Sequence, residues 1–326
     1  MDVSHLFSGV LSGNRRHLAK SITLIESKKE TDKTKASELL TMIMPYTGKS
    51  IRIGISGVPG AGKSTFIEAL GKFIISKGHK VAVLAVDPSS QISGGSILGD
   101  KTRMEELTKE ENAFIRPSPS GDSLGGVARK TREAMLLCEA AGYDYILVET
   151  VGVGQSEISV ANMVDLFTLI QLPNAGDELQ GMKRGIMEMA DIILINKSEA
   201  ENRSKAEIAK KQIEFALHLT ISKNELWNCE VMLVSALTGY GIKEYVEKIE
   251  DFINKMKASG IFYDKRGEQN ISWMWSHIMD TMKDNFISNN RVKGVLKEFQ
   301  EKVREGKINP TIAGEELLKC FYSSIK

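Results

Sequence analysis

A lysine and a serine directly behind a glycine close the stretch Gly57-Val58-Pro59-Gly60-Ala61-Gly62-Lys63-Ser64-Thr65, whose spacing is that of a phosphate-binding loop. Each residue type has a task there. Glycine lets main-chain N–H groups close on an anion without a Cβ in the way. Lys63 sets a point charge at β- and γ-phosphates, and the Ser64 hydroxyl can ligate Mg²⁺. Acids suited to the same chemistry follow. Glu149 ends an apolar run and stands three residues before Gly152, which would put a carboxylate beside Mg²⁺ and a glycine N–H beside a γ-phosphate. Asp87 and Asp100 are oxygen donors able to hold Mg²⁺ directly or through water; alternatively, Asp87 caps a turn at Pro88 and Asp100 starts the next helix. Gln155 either orients an attacking water or is a polar residue on the surface of its loop.

These residues need a frame that delivers them to one place. Ile51 to Ser56 reads as a buried strand and Thr65 to Leu70 as the start of a helix, so loop amides and the positive helix end converge on one anion. Further short runs rich in Val, Ile and Leu predict strands at 81–86, 113–116, 145–149, 166–172, 191–195 and 231–234. Helical segments between most of them predict an α/β fold with a mostly parallel sheet flanked by helices, where chemistry collects at the ends of the strands. The candidate residues all follow strands. So does Pro173 to Gly185, a glycine-punctuated segment in which acids precede Lys183 and Arg184. It is either a loop that changes partners or a helix start capped by Asp177.

Helical extensions bracket this core. Leu6, Val10 and Leu11, then Leu18, Ile22, Leu24 and Ile25, then Leu39, Leu40, Ile43 and Met44 recur at helical spacing in an arm over 1–49 that carries no chemical site. The nucleotide domain spans 50–257. Beyond it, 258–326 carries Trp273, Met274, Trp275, Ile278, Met279 and Met282 at similar spacing, which suits either dimerisation or packing on the chain's own domain.

Composition narrows the partners. The 326 residues include 42% hydrophobic and 26% charged side chains, with a net charge of +1, so nothing marks a nucleic-acid or membrane surface. Cys138, Cys229 and Cys320 are too scattered for a disulfide framework or thiolate metal site. No run reaches membrane-spanning length, and the first residues, with Asp2 and no apolar stretch, do not read as a secretory signal. A cytoplasmic protein is expected.

Asn196-Lys197-Ser198-Glu199 and Ser235-Ala236-Leu237-Thr238-Gly239 resemble the base-reading motifs NKxD and SA(K/L) of GTPases. In them a carboxylate accepts bonds from guanine N1–H and the 2-amino group, which adenine cannot offer. Glu199 stands where those motifs carry Asp, and a misplaced carboxylate would cost roughly ten- to a hundredfold in GTP preference at about 1.5–3 kcal/mol per charged bond.

Taken together, GVPGAGKST at 57–65, AVDPSS at 85–90, GGSILGDKTRM at 94–104, FIRPSPS at 114–120, ETVGVGQSE at 149–157, GDELQGMKRG at 176–185, NKSE at 196–199 and SALTG at 235–239 resemble the MeaB/ArgK family of P-loop GTPases, which includes the methylmalonic aciduria type A proteins. The resemblance spans nearly the whole chain. It implies a P-loop NTPase of the SIMIBI class. Such a protein binds GTP and GDP with Mg²⁺, forms a homodimer through its terminal helices, and acts as a chaperone of an adenosylcobalamin-dependent methylmalonyl-CoA mutase or a related mutase. It also implies mobile loops at 87–104, 149–157 and 176–185, the last coupling nucleotide state to the client through Lys183 and Arg184.

The site assignment expected from motif and resemblance follows. Lys63, Asp87, Glu149 and Gln155 serve catalysis, and Ser64, Asp87, Asp100 and Glu149 the metal. Residues 57–65, Gly152, Asn196, Lys197, Glu199, Ser235, Ala236 and Leu237 hold the nucleotide. Three other activities compete. A transport-linked kinase would place phosphate on a protein or metabolite. A metallochaperone GTPase would need a cluster of metal ligands, which the five dispersed histidines, His5, His17, His79, His218 and His277, do not offer. A nucleotide-binding module without turnover would show no hydrolysis even beside a mutase.

Overall fold

The computed structural model describes residues 2–86, 104–117, 124–150, 156–173, 184–218 and 226–323. Three helices open the chain: α1 (Val3–Leu11), α2 (Arg15–Glu26) and α3 (Glu30–Ile43). There follow β1 (Ile51–Gly57), α4 (Lys63–Ser76), β2 (Val81–Val86), α5 (Glu105–Lys109), β3 (Ala113–Arg116), α6 (Leu124–Ala140) and β4 (Tyr145–Thr150). Next come α7 (Ser156–Ala161), β5 (Leu166–Gln171), α8 (Arg184–Met189), β6 (Ile192–Ile195), α9 (Arg203–His218), β7 (Glu230–Leu233) and α10 (Ile242–Ala258). Helices α11 (Ile261–Ser288), α12 (Asn290–Arg304) and α13 (Pro310–Tyr322) end the chain.

Each of the seven anticipated strands is present, shifted by at most a residue or so at its ends. They form one sheet in the order β3-β2-β4-β1-β5-β6-β7, with every adjacent pair parallel. Burial on both faces explains the uninterrupted apolar runs. Along β1, Ile53 and Ile55 face a core shared with Phe66 and Leu70 of α4 and Tyr245 and Ile249 of α10. Gly54 faces the other way, against Val160 of α7, Val164 and Phe167; a Cβ there would approach Phe167 and Val160 to 2.9 Å. Tyr245 is fully buried and its hydroxyl lies 2.6 Å from Thr168 Oγ1, tying α10 to β5.

The opening helices pack on α6, as their apolar stripes require. Leu18, Ile22, Leu39 and Ile43 are completely enclosed. Glu26, at the end of α2, pairs with Arg116 at the end of β3, and Lys130 of α6 donates to the Glu26 carbonyl at 2.8 Å.

The sheet's lower end, where the strands begin, is closed by a buried ionic network. Arg266 donates to both oxygens of Asp165 at 2.7 Å, and to the carbonyls of Gly48 (2.8 Å) and Ser50 (2.7 Å). Asp165 also accepts from the Arg52 amide at 2.8 Å, while the Arg52 guanidinium grips Glu139 at 2.9 and 3.1 Å. The first turns of α11 are thereby fixed beneath β1 and β5.

Residues up to Gln269 form one compact unit, and those from Asn270 onward another. In the second, α12 and α13 form a hairpin holding Val292 and Ala313 buried, with Phe286 edge-on to Phe321. Met274, Trp275, Met279 and Met282 of α11 are exposed.

Candidate active site

The strand order puts the 57–65 loop at the crevice between the ends of β4 and β5, because β1 lies between those strands. Two contacts enforce its path. A Cβ on Gly57 would stand 2.3 Å from the Ile170 carbonyl oxygen, so the chain passes β5 only as glycine. Gly62 has φ of +83°, and a Cβ there would meet Asn196 Nδ2 at 2.6 Å. Gly62 also caps α4. Having no side chain, it puts no capping acceptor of its own over the first turn of α4.

Lys63 Nζ donates to the carbonyls of Gly57 (2.8 Å) and Val58 (3.3 Å), lying across the loop it serves. Ser64 Oγ donates to Glu149 Oε1 at 3.2 Å. Glu149 is 5% exposed and sits in register with Ile55 on one side and Ala85 on the other. A hydroxyl and a carboxylate at this separation, both hard oxygen donors, suit Mg²⁺, which accepts one or two protein oxygens and completes its shell with water and phosphate. Among the described residues no group of three or more His, Cys, Asp or Glu side chains is set to hold a metal alone.

The wall beside this loop is assembled around Asn196, which is 1% exposed. Its Nδ2 donates to the Ala61 carbonyl at 2.7 Å, and its Oδ1 accepts from the Ala236 amide at 3.0 Å. One amide thus fastens the phosphate loop to the 235–239 loop. Lys197 takes a left-handed φ of +60°, uncommon outside glycine, turning the chain so that the Ser198 amide donates to the Val234 carbonyl at 3.1 Å. Ser235 is buried; its Oγ accepts from the Thr238 amide at 3.2 Å, and its own amide donates to the Tyr240 carbonyl at 2.9 Å. Lys197 and Leu237 are exposed. Glu199 is half-buried, and its Oε2 is enclosed without a hydrogen-bond partner. An unpaired carboxylate oxygen is an acceptor still to be satisfied by a donor such as an N–H.

The expected residues divide in three. Lys63, Ser64 and Glu149 converge with the 57–62 backbone, and Asn196, Ser235 and Ala236 form the wall beside it. Pro59, Gly60 and Thr65 are exposed along the loop. Asp87, Asp100, Gly152, Gln155, Asp177 and Lys183 lie outside the described residues, and Arg184 is described only as the first residue of α8. Two residues beneath the site were missed. Thr150 Oγ1 donates to Ser56 Oγ at 2.8 Å, both fully buried, pinning β4 to β1 under Glu149 and Gly57. The signal was slight: Ser56 closes the strand before the glycine loop, and Thr150 follows the acid that ends the apolar run of β4. Cys138 takes no part, since burial pushes its thiol far above the usual range.

With this geometry in view, comparison with known proteins is specific. Residues 18–291 match the family model of the methylmalonyl-CoA mutase-associated GTPase MeaB. The chain is 45% identical over 331 residues to the mouse mitochondrial methylmalonic aciduria type A homolog, covering 98% of this chain and 80% of that one. It is 46% identical over 298 residues to the Escherichia coli GTPase ArgK, covering 91% and 90%. A crystal structure described as an LAO/AO transport system kinase superposes with a TM-score of 0.78 at 38% identity, covering 97% and 96%.

Proposed function

Because the chain belongs to the MeaB family of methylmalonyl-CoA mutase-associated GTPases, we propose that it hydrolyses GTP to GDP and phosphate and serves as a G-protein chaperone of an adenosylcobalamin-dependent methylmalonyl-CoA mutase or a related acyl-CoA mutase. The observation that carries the hydrolytic part is the convergence of Lys63, Ser64 and Glu149 on one loop, with Ser64 and Glu149 3.2 Å apart. The client is suggested by the family and by the methylmalonic aciduria type A relative.

In this reading the amides of 57–64 and the α4 N-terminus bind the phosphates, and Lys63 exchanges its two carbonyl partners for β- and γ-phosphate oxygens. Ser64 and Glu149 would hold Mg²⁺, with Asp87 and Asp100 as further oxygen donors, and the ion would supply charge neutralisation at the transferred phosphoryl group. Asn196 keeps the loop and the base wall in register, and Glu199 accepts from guanine. Water attacks in line, placed by Gln155 or by a group the client supplies. Such chemistry depends on positioning, so turnover is slow alone and rises when a partner completes the site. Residues 258–326 form the dimerisation segment of a cytoplasmic homodimer, a reading supported by the exposed Met274, Trp275, Met279 and Met282.

The test measures phosphate release from GTP, with ATP as control, and co-elution with a mutase from the same source. GTP-specific release stimulated by the mutase is expected, and Lys63→Ala should abolish both nucleotide binding and release. Unchanged turnover in Lys63→Ala would contradict the assignment. Label transferred to a protein or metabolite in place of free phosphate would favour the kinase activity named for the solved relative. Light scattering of the eluted protein reads the dimer.

A further inference from the structure

Two histidines far from the phosphate loop meet in a way their scatter along the sequence concealed. The turn Ser12-Gly13-Asn14 folds α1 and α2 against each other, and His5 Nε2 lies 3.0 Å from His17 Nε2, the rings edge to face at 82°. The seat is shaped for this. A Cβ on Gly9, one helical turn beyond His5, would come within 2.2 Å of His17 Cγ, so only glycine admits the second ring. His17 is half-buried and its Nδ1 is enclosed without a partner, while His5 faces solvent. The α1–α2 turn lies over Ala141 and Lys80, a Cβ on Gly13 standing 3.5 and 3.7 Å from them, at the sheet end opposite the phosphate loop.

We propose that His5 and His17 form a two-imidazole site for a divalent transition-metal ion, with water in its remaining positions. Imidazole nitrogens about 2.0–2.1 Å from a shared metal stand roughly 2.9–3.4 Å apart for angles between square and tetrahedral. The observed 3.0 Å lies at the square end, which suits Ni²⁺ or Cu²⁺ better than tetrahedral Zn²⁺. One Nε2 carries a proton when the two nitrogens share a hydrogen bond. Loading moves that proton to Nδ1 of the same ring, so both Nε2 lone pairs face the metal and no net proton is lost. Mg²⁺ does not compete, because it prefers oxygen. Bound metal links α1 to α2 without touching the nucleotide machinery.

Untagged full-length protein, stripped with chelator and then saturated with Mg²⁺ and GDP, is dialysed against Ni²⁺. About one equivalent bound per chain is expected, lost in His5→Ala and in Gly9→Ala and kept in His79→Ala and His277→Ala. His5 is exposed, so His5→Ala leaves folding and GTP turnover intact; a metal-free melt within a degree or so of the parent establishes this. Cu²⁺-loaded protein should give electron paramagnetic resonance splitting from two nitrogens, a signal absent from His5→Ala. Absence of a bound equivalent, or binding indifferent to His5→Ala, overturns the site.

Discussion

Glu199 offers a two-sided test of how the base is read. Its enclosed Oε2 has no hydrogen-bond partner, and leaving such a group unpaired costs about 1–3 kcal/mol. On the proposed reading, guanine would offset that cost by donating from N1 and from its amino group, each bond to a charged acceptor contributing about 1.5–3 kcal/mol. Glu199→Gln keeps the shape, removes the charge and turns one acceptor into a donor that opposes guanine. Loss of one such bond weakens GDP and GTP roughly 10- to 150-fold. The empty protein should move the other way. Relief of about 1 kcal/mol raises its melting temperature by roughly 2–4 °C for a unit of this size. Titration with a fluorescent GDP analogue, and melting with and without GDP, read both effects: a higher baseline with a smaller nucleotide-induced rise. Glu199→Asp, which restores the residue type of the GTPase motif, should retain GTP preference over ATP. An affinity for GDP within twofold of the parent in Glu199→Gln would refute the reasoning, whatever the melting temperature does.

Three further expectations follow from contacts away from the base. Gly57→Ala drives a methyl against the Ile170 carbonyl, 2.3 Å away, so nucleotide binding should fall at least tenfold, read by the same titration. Arg266→Ala leaves Asp165, 1% exposed, without its bidentate partner, and should cost about 3–5 kcal/mol in urea unfolding; a loss under 1 kcal/mol would mean that water enters the network freely. Burial raises the Glu133 carboxyl from 4.5 to about 7 against the opposing pull of Arg129 and Lys130. Its stabilising contribution is then full below pH 4.5 and lost as pH rises through 7, so Glu133→Gln should flatten that slope and be the more stable form at pH 8 by about 3 kcal/mol. Urea midpoints across this range check it.

How much of this could be read beforehand depends on the length scale of the signal. The strands were legible because burial on both faces leaves an unbroken Val/Ile/Leu run, as in Val81–Val86. Lys63, Ser64 and Glu149 were legible because spacing along a strand–loop–helix unit fixes their separation in space. The bridging role of Asn196 was hidden, since its partners Ala61 and Ala236 contribute main-chain atoms that carry no residue signature. The same holds for Ile170, whose carbonyl alone dictates Gly57. The Arg266–Asp165 pair joins positions 101 residues apart, and a lone Arg in a helix looks like any solvated charge. His5 and His17 belong to this class too: a turn of three residues, not a spacing motif, makes them neighbours.

The amide of Asn196 has a consequence for how damage spreads. Since one side chain is stitched to the 57–62 loop and to the 235–239 loop, injuries to either are not independent. Trimming Asn196 alone should already loosen both. A second lesion at Gly62 or Ala236 then adds far less than its separate cost, the signature of parts that fail as one body.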